Sequence, residues 1–340
     1  MPKDSWQRYT LTIIILLLLI LTTGYFSLTS GAFEMTVRNV VETLLRINED
    51  PKYDLVIFDF RLPRILIAGL VGLGLGIAGA VIQGITRNGL ADSGVLGINA
   101  GAGTAIVLFM FFFQGQIANA GFFSLMIMPI FGLCGGLLAA FLIFIFSWQN
   151  GRIDTGRLIL TGIAISSGFG ALSLYLSLKM NSSDFEMATV WLSGSIYDAN
   201  WQYVLSVVPW LLILIPLLYR KAHLLDLFQL EESSIKSLGV SVEKEKVLLL
   251  LGSIGIVSAC VAVSGSIAFV GLLSPHIARR LVGVHHRRVI PICGGIGMLL
   301  VLLSDYIGKT IFQPLELPVG IVLSIIGVPY FLYLLSKAKA

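Results

Sequence analysis

The stretch YRKAHLLDLFQLEESSIKSLGVSVEKEK, Tyr219 to Lys246, is the one long charged segment set between hydrophobic runs, and it cannot lie in lipid. Within it Leu230, Ile235 and Leu238 fall on one side of a short helix. Glu231 and Glu232 sit in the first turn, where the helix dipole favours acids, and Gly239 supplies a C-terminal stop. The pattern predicts a compact amphipathic helix on the water side of a membrane protein. It is either a solvated loop helix that touches nothing or a docking element for a soluble partner, and the flanking sequence has to decide which.

At 340 residues, 56% of them hydrophobic and 12% charged, with a mean hydropathy of +0.90, the chain is too apolar for a soluble globular domain and reads as a polytopic membrane protein. A pI near 8.9 raises nucleic acid as a partner, but the basic residues come in pairs between apolar runs and form no continuous basic face. Cys134, Cys260 and Cys293 are odd in number and all lie within apolar runs, which makes them small packing residues and implies neither a disulfide framework nor a metal site. Lys3 and Arg8 ahead of LTIIILLLLILTTGYF resemble a secretory signal. The run is long and no A-x-A site follows, so it is read as an uncleaved first span.

Apolar runs long enough to cross a bilayer, about 17 to 25 residues, occur at 10–30, 62–84, 95–113, 121–147, 157–178, 202–219, 247–264, 266–283, 289–308 and 319–336. Lipid offers the backbone no hydrogen-bond partners, so each run is expected to be a helix. The result is an all-α fold of about ten transmembrane helices in a single domain, residues 1–340. Lys and Arg between the runs number 16 on the side of the two termini and of 219–246, against 7 on the other. The positive-inside rule then puts both termini and the 219–246 segment in the cytoplasm.

The external segment from Gly31 to Phe60 carries Glu34, Glu42, Glu49, Asp50, Asp54 and Asp59 and ends in RLPR, Arg61 to Arg64, whose Pro63 suits the first turn of a helix. The two arginines are either interfacial anchors or a docking site for acidic side chains. GLGIAG, Gly74 to Gly79, formally matches a dinucleotide-binding fingerprint, but no strand precedes it. Gly72, Gly76 and Ala80 instead form a smooth ridge for close helix contact. GKT, Gly308 to Thr310, lacks the earlier glycine of a phosphate-binding loop, position 303 being Leu, so no ATPase motif is present. Ionisable residues within the runs are few. Asp305 and His276 have no evident partner along the chain, which counts against a proton- or sodium-coupled carrier. No paired-carboxylate or His-rich constellation suggests a membrane enzyme.

Two segments are irregular: RNGLADSGVLGINAGAG (87–103), rich in small residues, and SGSIAFVGLLSPHIARRLVG (264–283), with Pro275 inside a run. They predict closely packed, bent helices. They join RLPR at 61–64, AG-x-x-x-Q at 78–83, GR-x-x-LTGIA near 156–164, W-x-x-GS at 191–195, SLGV at 237–240, ELPVG at 316–320 and GVPYF at 327–331. In this order, and over nearly its whole length, the chain resembles the iron-siderophore, haem and vitamin B12 family of ABC-importer permeases.

The resemblance implies a type II importer permease that pairs with an identical or related permease. It further implies two cytoplasmic ATPase subunits, which hold the ATP and magnesium, and an external substrate-binding protein. This chain itself is expected to bind no cofactor or metal and to carry no catalytic residue. Residues 220–246 would hold the coupling helix, with Glu231, Glu232, Ile235, Leu238 and Gly239 seated against the ATPase. Arg61 and Arg64, with Lys309 before the ELPVG motif, would receive acids of the binding protein, although Lys309 offers a charge without the planar fork of arginine. The inner gate would fall on Asn88, Leu90, Thr155 and Gly156. Gly89 and Ser93 stand where the family's RNPLADPG has prolines, which predicts a looser turn there. The implied function is ATP-driven uptake of a ferric siderophore, of hydroxamate (ferrichrome) type, across the cytoplasmic membrane, along a wide path to which the glycine-rich second and third runs are suited. A haem or cobalamin permease of the same family and an ion-gradient-driven secondary transporter are the alternatives.

Overall fold

The apolar run after Arg8 forms one uninterrupted helix, α1 (Trp6–Thr29), whose large side chains from Leu11 to Phe26 mostly point outward, as lipid-facing residues do. The computed structural model describes residues 6–31, 33, 35–47, 50–92, 94, 97–117, 121–149, 152–153 and 155–338; Glu34, Glu49 and Ser93 lie outside them. A small cap follows, made of α2 (Val37–Leu44), α3 (Pro51–Asp54) and a π-helical turn (Leu55–Arg61) that runs on into α4 (Leu62–Thr86). Thr36 caps α2 by accepting the Asn39 N–H at 3.3 Å, and Asp50 caps α3 by accepting from Lys52 at 2.9 Å. Met35, Val40 and Ile57 give this cap its own apolar centre.

Next come α5 (Ile98–Ile117), α6 (Gly121–Ser147) and a ribbon of β1 (Trp148–Gln149) against β2 (Arg152–Ile153). The chain continues through α7 (Thr155–Ser177), α8 (Ser182–Leu192), α9 (Trp201–Arg220), α10 (Ala222–Leu227) and α11 (Glu232–Ser237). It ends with α12 (Val242–Ser264), α13 (Val270–Val282), α14 (His286–Ile311) and α15 (Val319–Ala338). The face at which α1 ends and α4 begins is termed the far face, and the opposite one the near face.

Among the described residues, 8 helices are long and apolar enough to cross a membrane, and Ile98–Phe113 of α5 is a shorter apolar helix. The expected span at 266–283 is different. Its helix, α13, has 13 residues, a rise of about 20 Å against a hydrocarbon core of about 30 Å. The reason lies at Gly265, which adopts φ +65° and sits so close to the Trp191 carbonyl that a Cβ would lie 1.9 Å from its oxygen. The chain runs unwound from there to Phe269 and then turns back, so α12 and α13 form a hairpin whose tip meets the last turn of α8 inside the protein. The hairpin leaves and returns on the near face, so the assignment of 219–246 and 279–288 to one side is unaffected.

The glycine ridge of the second run does bring helices together: a Cβ on Gly72 would stand 2.2 Å from the Gly297 carbonyl oxygen of α14, and one on Gly79 2.1 Å from that of Gly271 in α13. As a result α4 is, with α12, among the most enclosed of the long helices, packed against α14, α12, α13 and α9. The glycine-rich second run is therefore core, and the expectation that it lines a wide path is corrected. The smooth outward surface belongs to α7, where Ala164, Ser167, Gly168, Gly170 and Ala171 are exposed and nothing approaches Gly168 or Gly170 within 4 Å. Cys260 and Cys293 are buried packing residues, whereas Cys134 is exposed on α6.

Candidate functional site

At the far face, Arg61, Arg64 and Lys309 line one cleft of about 440 Å³ with Tyr197, Asp198 and Glu316. The π-helical turn carries an extra residue per turn relative to α4 and directs the Arg61 side chain inward. Its guanidinium donates to the Leu28 carbonyl and, at 2.5 Å, to that of Phe33. Lys309, in the last turn of α14, donates to the Ser27 carbonyl (3.0 Å) and hydroxyl (2.6 Å). These are carbonyls of the last turn of α1 and the chain just beyond it, which have no intrahelical donors, so two cations satisfy the negative end of a helix.

Arg64 holds a different pair. Its Nη2 lies 2.8 Å from Asp305 Oδ1 and 2.8 Å from Glu316 Oε2, while its Nε donates to the same Asp305 oxygen at 2.9 Å. Asp305 is 1% exposed and the Lys309 ammonium is 3.9 Å from its other oxygen. The Tyr197 ring lies 5.7 Å from the guanidinium, and Asp198 stands in the same cleft. Burial pushes the Asp198 carboxyl above its ordinary range, with the Arg64 charge offsetting part of the rise. Arg61 and Lys309 are thus committed to internal carbonyls, and of the three cations Arg64 keeps an edge toward the cleft, its side chain 15% exposed beside that of Glu316 at 34%. Asp305 meets Lys309 four residues on and Arg64 across 241 residues. An aspartate and a lysine four residues apart near the end of an apolar run were the sequence signal for this cluster. His276, by contrast, lies edge-on to the Tyr330 ring, centroids 5.6 Å apart.

At the near face the charged segment folds as two short helices instead of one. α10 is an anchor: Ala222, Leu224, Leu225 and Phe228 are buried against α4 and α14. Asp226 accepts the first backbone N–H of α14, from His286, at 3.0 Å, and its ring Nδ1 at 2.6 Å. Burial would raise that carboxyl, but these hydrogen bonds and the neighbouring histidines outweigh it and hold it below the usual carboxylate range.

α11 begins at Glu232, after Glu231, and carries a 2.8 Å Glu232–Lys236 ion pair. Gly239 follows it at φ +78°, its N–H donating to the Lys236 carbonyl at 3.0 Å. Ile235, expected on a partner-facing side, is 0% exposed and belongs to the protein's own core; Leu238 is 64% exposed. The helix turns its one apolar side chain inward and leaves Leu230 and Leu238 outside.

In the expected gate, Asn88 Oδ1 accepts the Leu90 N–H at 2.9 Å and its carbonyl accepts from Ala91 at 3.1 Å, forming a side-chain-stabilised turn. Gly156 is exposed in the first turn of α7, and the Thr155 side chain lies outside the described residues. Arg87, in the left-handed conformation that ends α4, donates to the Leu230 carbonyl at 2.6 Å and so ties the gate turn to the segment before α11, a link across 143 residues with no local sequence signal. Among the described residues there is no group of three or more His, Cys, Asp or Glu side chains that could hold a metal ion.

Residues 15–337 match the FecCD transport family. The chain is 58% identical to the iron-uptake system permease protein FeuC of Bacillus subtilis, over 94% of this chain and 96% of that one. It is 43% identical to the iron(3+)-hydroxamate import system permease protein FhuG of the same organism, over 99% and 100%. A solved structure described as an inward-facing conformation of a metal-chelate type ABC transporter superposes with a TM-score of 0.82 at 31% identity, covering 95% of this chain and 98% of that one. Matched along nearly its full length, with its helices in the same arrangement, this polytopic membrane protein belongs to the FecCD transport family.

Proposed function

We propose that the chain is the permease subunit of an ATP-binding-cassette importer that moves a ferric siderophore across the cytoplasmic membrane. It pairs with a second permease, two cytoplasmic ATPase subunits supply the energy, and an external binding protein delivers the cargo. The full-length likeness to an iron-uptake permease carries this reading. Three features support it: the exposed small-residue face of α7 suits a path shared with a second permease, the near face carries an anchored charged segment with Leu230 and Leu238 outside, and the far-face cleft offers Arg64 to an acidic partner. The near face is then cytoplasmic, in agreement with the excess of basic residues on that side. Transport by this route needs two conformations of different affinity for the partners and no covalent chemistry in this chain.

The test is uptake of radio-iron-labelled siderophores, a hydroxamate among them, into proteoliposomes holding the permease pair, ATPase and binding protein. Uptake that requires ATP and all partners is expected. Haem or cobalamin uptake in place of iron would reassign the cargo. Uptake that persists with ATP withheld and an ion gradient imposed would make the protein a secondary carrier using the buried Arg64–Asp305–Lys309 charges.

A further inference from the structure

At the near-face end of α4 a second cleft, of about 380 Å³, is lined by Gln83, Arg87, Gln229, Arg279 and His286 among others. Arg279, half-buried on α13, donates to Gln83 Oε1, and Gln83 Nε2 in turn donates to the Gly271 carbonyl at 3.4 Å. A guanidinium has five N–H donors, and among the described residues Arg279 is paired with no carboxylate. Asp226, an acid on the same face, is already taken by His286 and His285, at 2.6 and 3.7 Å. Arg87 stands at the rim, exposed, with its guanidinium tied to Leu230. The cleft therefore sets two guanidinium groups together, one of them partly desolvated and bonded to no carboxylate among the described residues, an arrangement that is costly unless an anion completes it.

We propose that this cleft receives a carboxylate side chain, Asp or Glu, from the soluble ATPase subunit, held by Arg279 from within and Arg87 at the rim; the inference rests on the importer reading above. A soluble partner is favoured over lipid because the cleft sits at the end of the helix enclosed by α9, α12, α13 and α14 and opens beside the Gln229–Leu230 stretch, not onto the outward-facing helices. The Arg87–Leu230 hydrogen bond makes the same contact sense the position of α11 and of the Asn88 turn. A carboxylate drawn into the cleft would thus link the motion of the ATPase to both.

The experiment measures the affinity of the purified ATPase subunit for the permease in nanodiscs as a function of salt. Arg279→Gln and Arg87→Gln should each weaken binding by about 10- to 100-fold and flatten its salt dependence. Arg279→Lys should regain part, and Arg279→Glu should be rescued by one acid-to-lysine change on the ATPase. Binding by both glutamine variants equal to wild type overturns the proposal. So does a loss confined to an Arg279→Gln protein that melts early, with exposed Arg87→Gln unaffected. A third overturning result is protection of Arg279 from phenylglyoxal by inorganic phosphate, or by phosphatidylglycerol vesicles, as full as that given by the ATPase, which would make the cleft a free-anion or headgroup site. ATP-dependent uptake by the wild-type assembly is read separately, so failure here leaves the importer reading standing.

Discussion

Replacing Arg64 should destabilise the permease more than replacing Asp305, although the two are partners in one ion pair. Without Arg64, as in Arg64→Met, Asp305 stays 1% exposed with only the Lys309 ammonium near it, 3.9 Å away and already bonded to Ser27. Leaving a buried charge so poorly matched costs about 3–5 kcal/mol. In Asp305→Asn the guanidinium keeps Glu316 at 2.8 Å and the amide oxygen still accepts both Arg64 donors, so the loss is the charge behind those bonds and beside Lys309, about 1.5–3 kcal/mol. The decisive variant is the double one. Neutralising Asp305 removes the stranded charge, so Arg64→Met with Asp305→Asn should be more stable than Arg64→Met alone, a coupling of about 2 kcal/mol or more. Unfolding in mixed micelles, followed by tryptophan fluorescence, gives all three values. If the double variant is less stable than Arg64→Met by the full cost of Asp305→Asn, the cluster is not the interdependent unit described here.

Leu238→Asp should change stability by no more than about 0.5 kcal/mol yet abolish uptake, whereas Ile235→Asp, placing a charge at a 0% exposed site, should cost about 3 kcal/mol or more and fail to accumulate; membrane-fraction yield and transport separate the two. Gly72→Ala, whose Cβ would meet the Gly297 carbonyl oxygen at 2.2 Å, should destabilise by about 1–3 kcal/mol, while Gly168→Ala on α7 should be neutral in the same unfolding measurement. Asp198 has a raised carboxyl pKa, so the folded state holds its proton more tightly and loses stability as pH rises from about 4 through the raised value. Asp198→Asn should remove that fall and stabilise the protein at pH 7. Asp226, held low, behaves oppositely: its contribution is complete at pH 7 and lost only as pH drops below about 4, so Asp226→Asn should weaken the neutral protein.

What could be read from the sequence follows where physics leaves the chain little choice. An apolar run in lipid must be helical, and so the long runs were legible to within a few residues. The run at 266–283 misled because hydropathy registers composition and not the contact of Gly265 with Trp191 that halts the helix. Ile235 and Leu238 share a side on an ideal helix, but six-residue α11 ends at Ser237, so Leu238 leaves that side. The family resemblance groups Arg61, Arg64 and Lys309 but does not name their partners. The i,i+4 spacing of Asp305 and Lys309 is a local trace, but Ser27 and the Arg64–Asp305 pairing, 241 residues apart, come together only through helix packing.

The clusters at the two faces lie at opposite ends of one helix, and that placement bears on how transport could work. α4 starts at the turn that aims Arg61 and ends at Arg87, and between them its glycines lock backbone to backbone with α13 and α14. Packed side chains can slide or repack by a rotamer change, but main chain resting directly on main chain at Gly72–Gly297 and Gly79–Gly271 cannot, so these helices move together or not at all. Alternating access then has to come from the elements outside this block. Among these α1 and α7 are the least enclosed, whereas the end of α8 rests main chain on main chain against the hairpin at Gly265–Trp191 and against the start of α15 at Gly320–Ser193, and α15 meets the hairpin at Gly327–Phe269 and His276–Tyr330. If so, disulfides bridging α4 to α14 should leave uptake intact, and one fixing α7 to α5, on which it packs, should stop it with ATP hydrolysis continuing; arrest by the first bridge would place the moving joint inside the block.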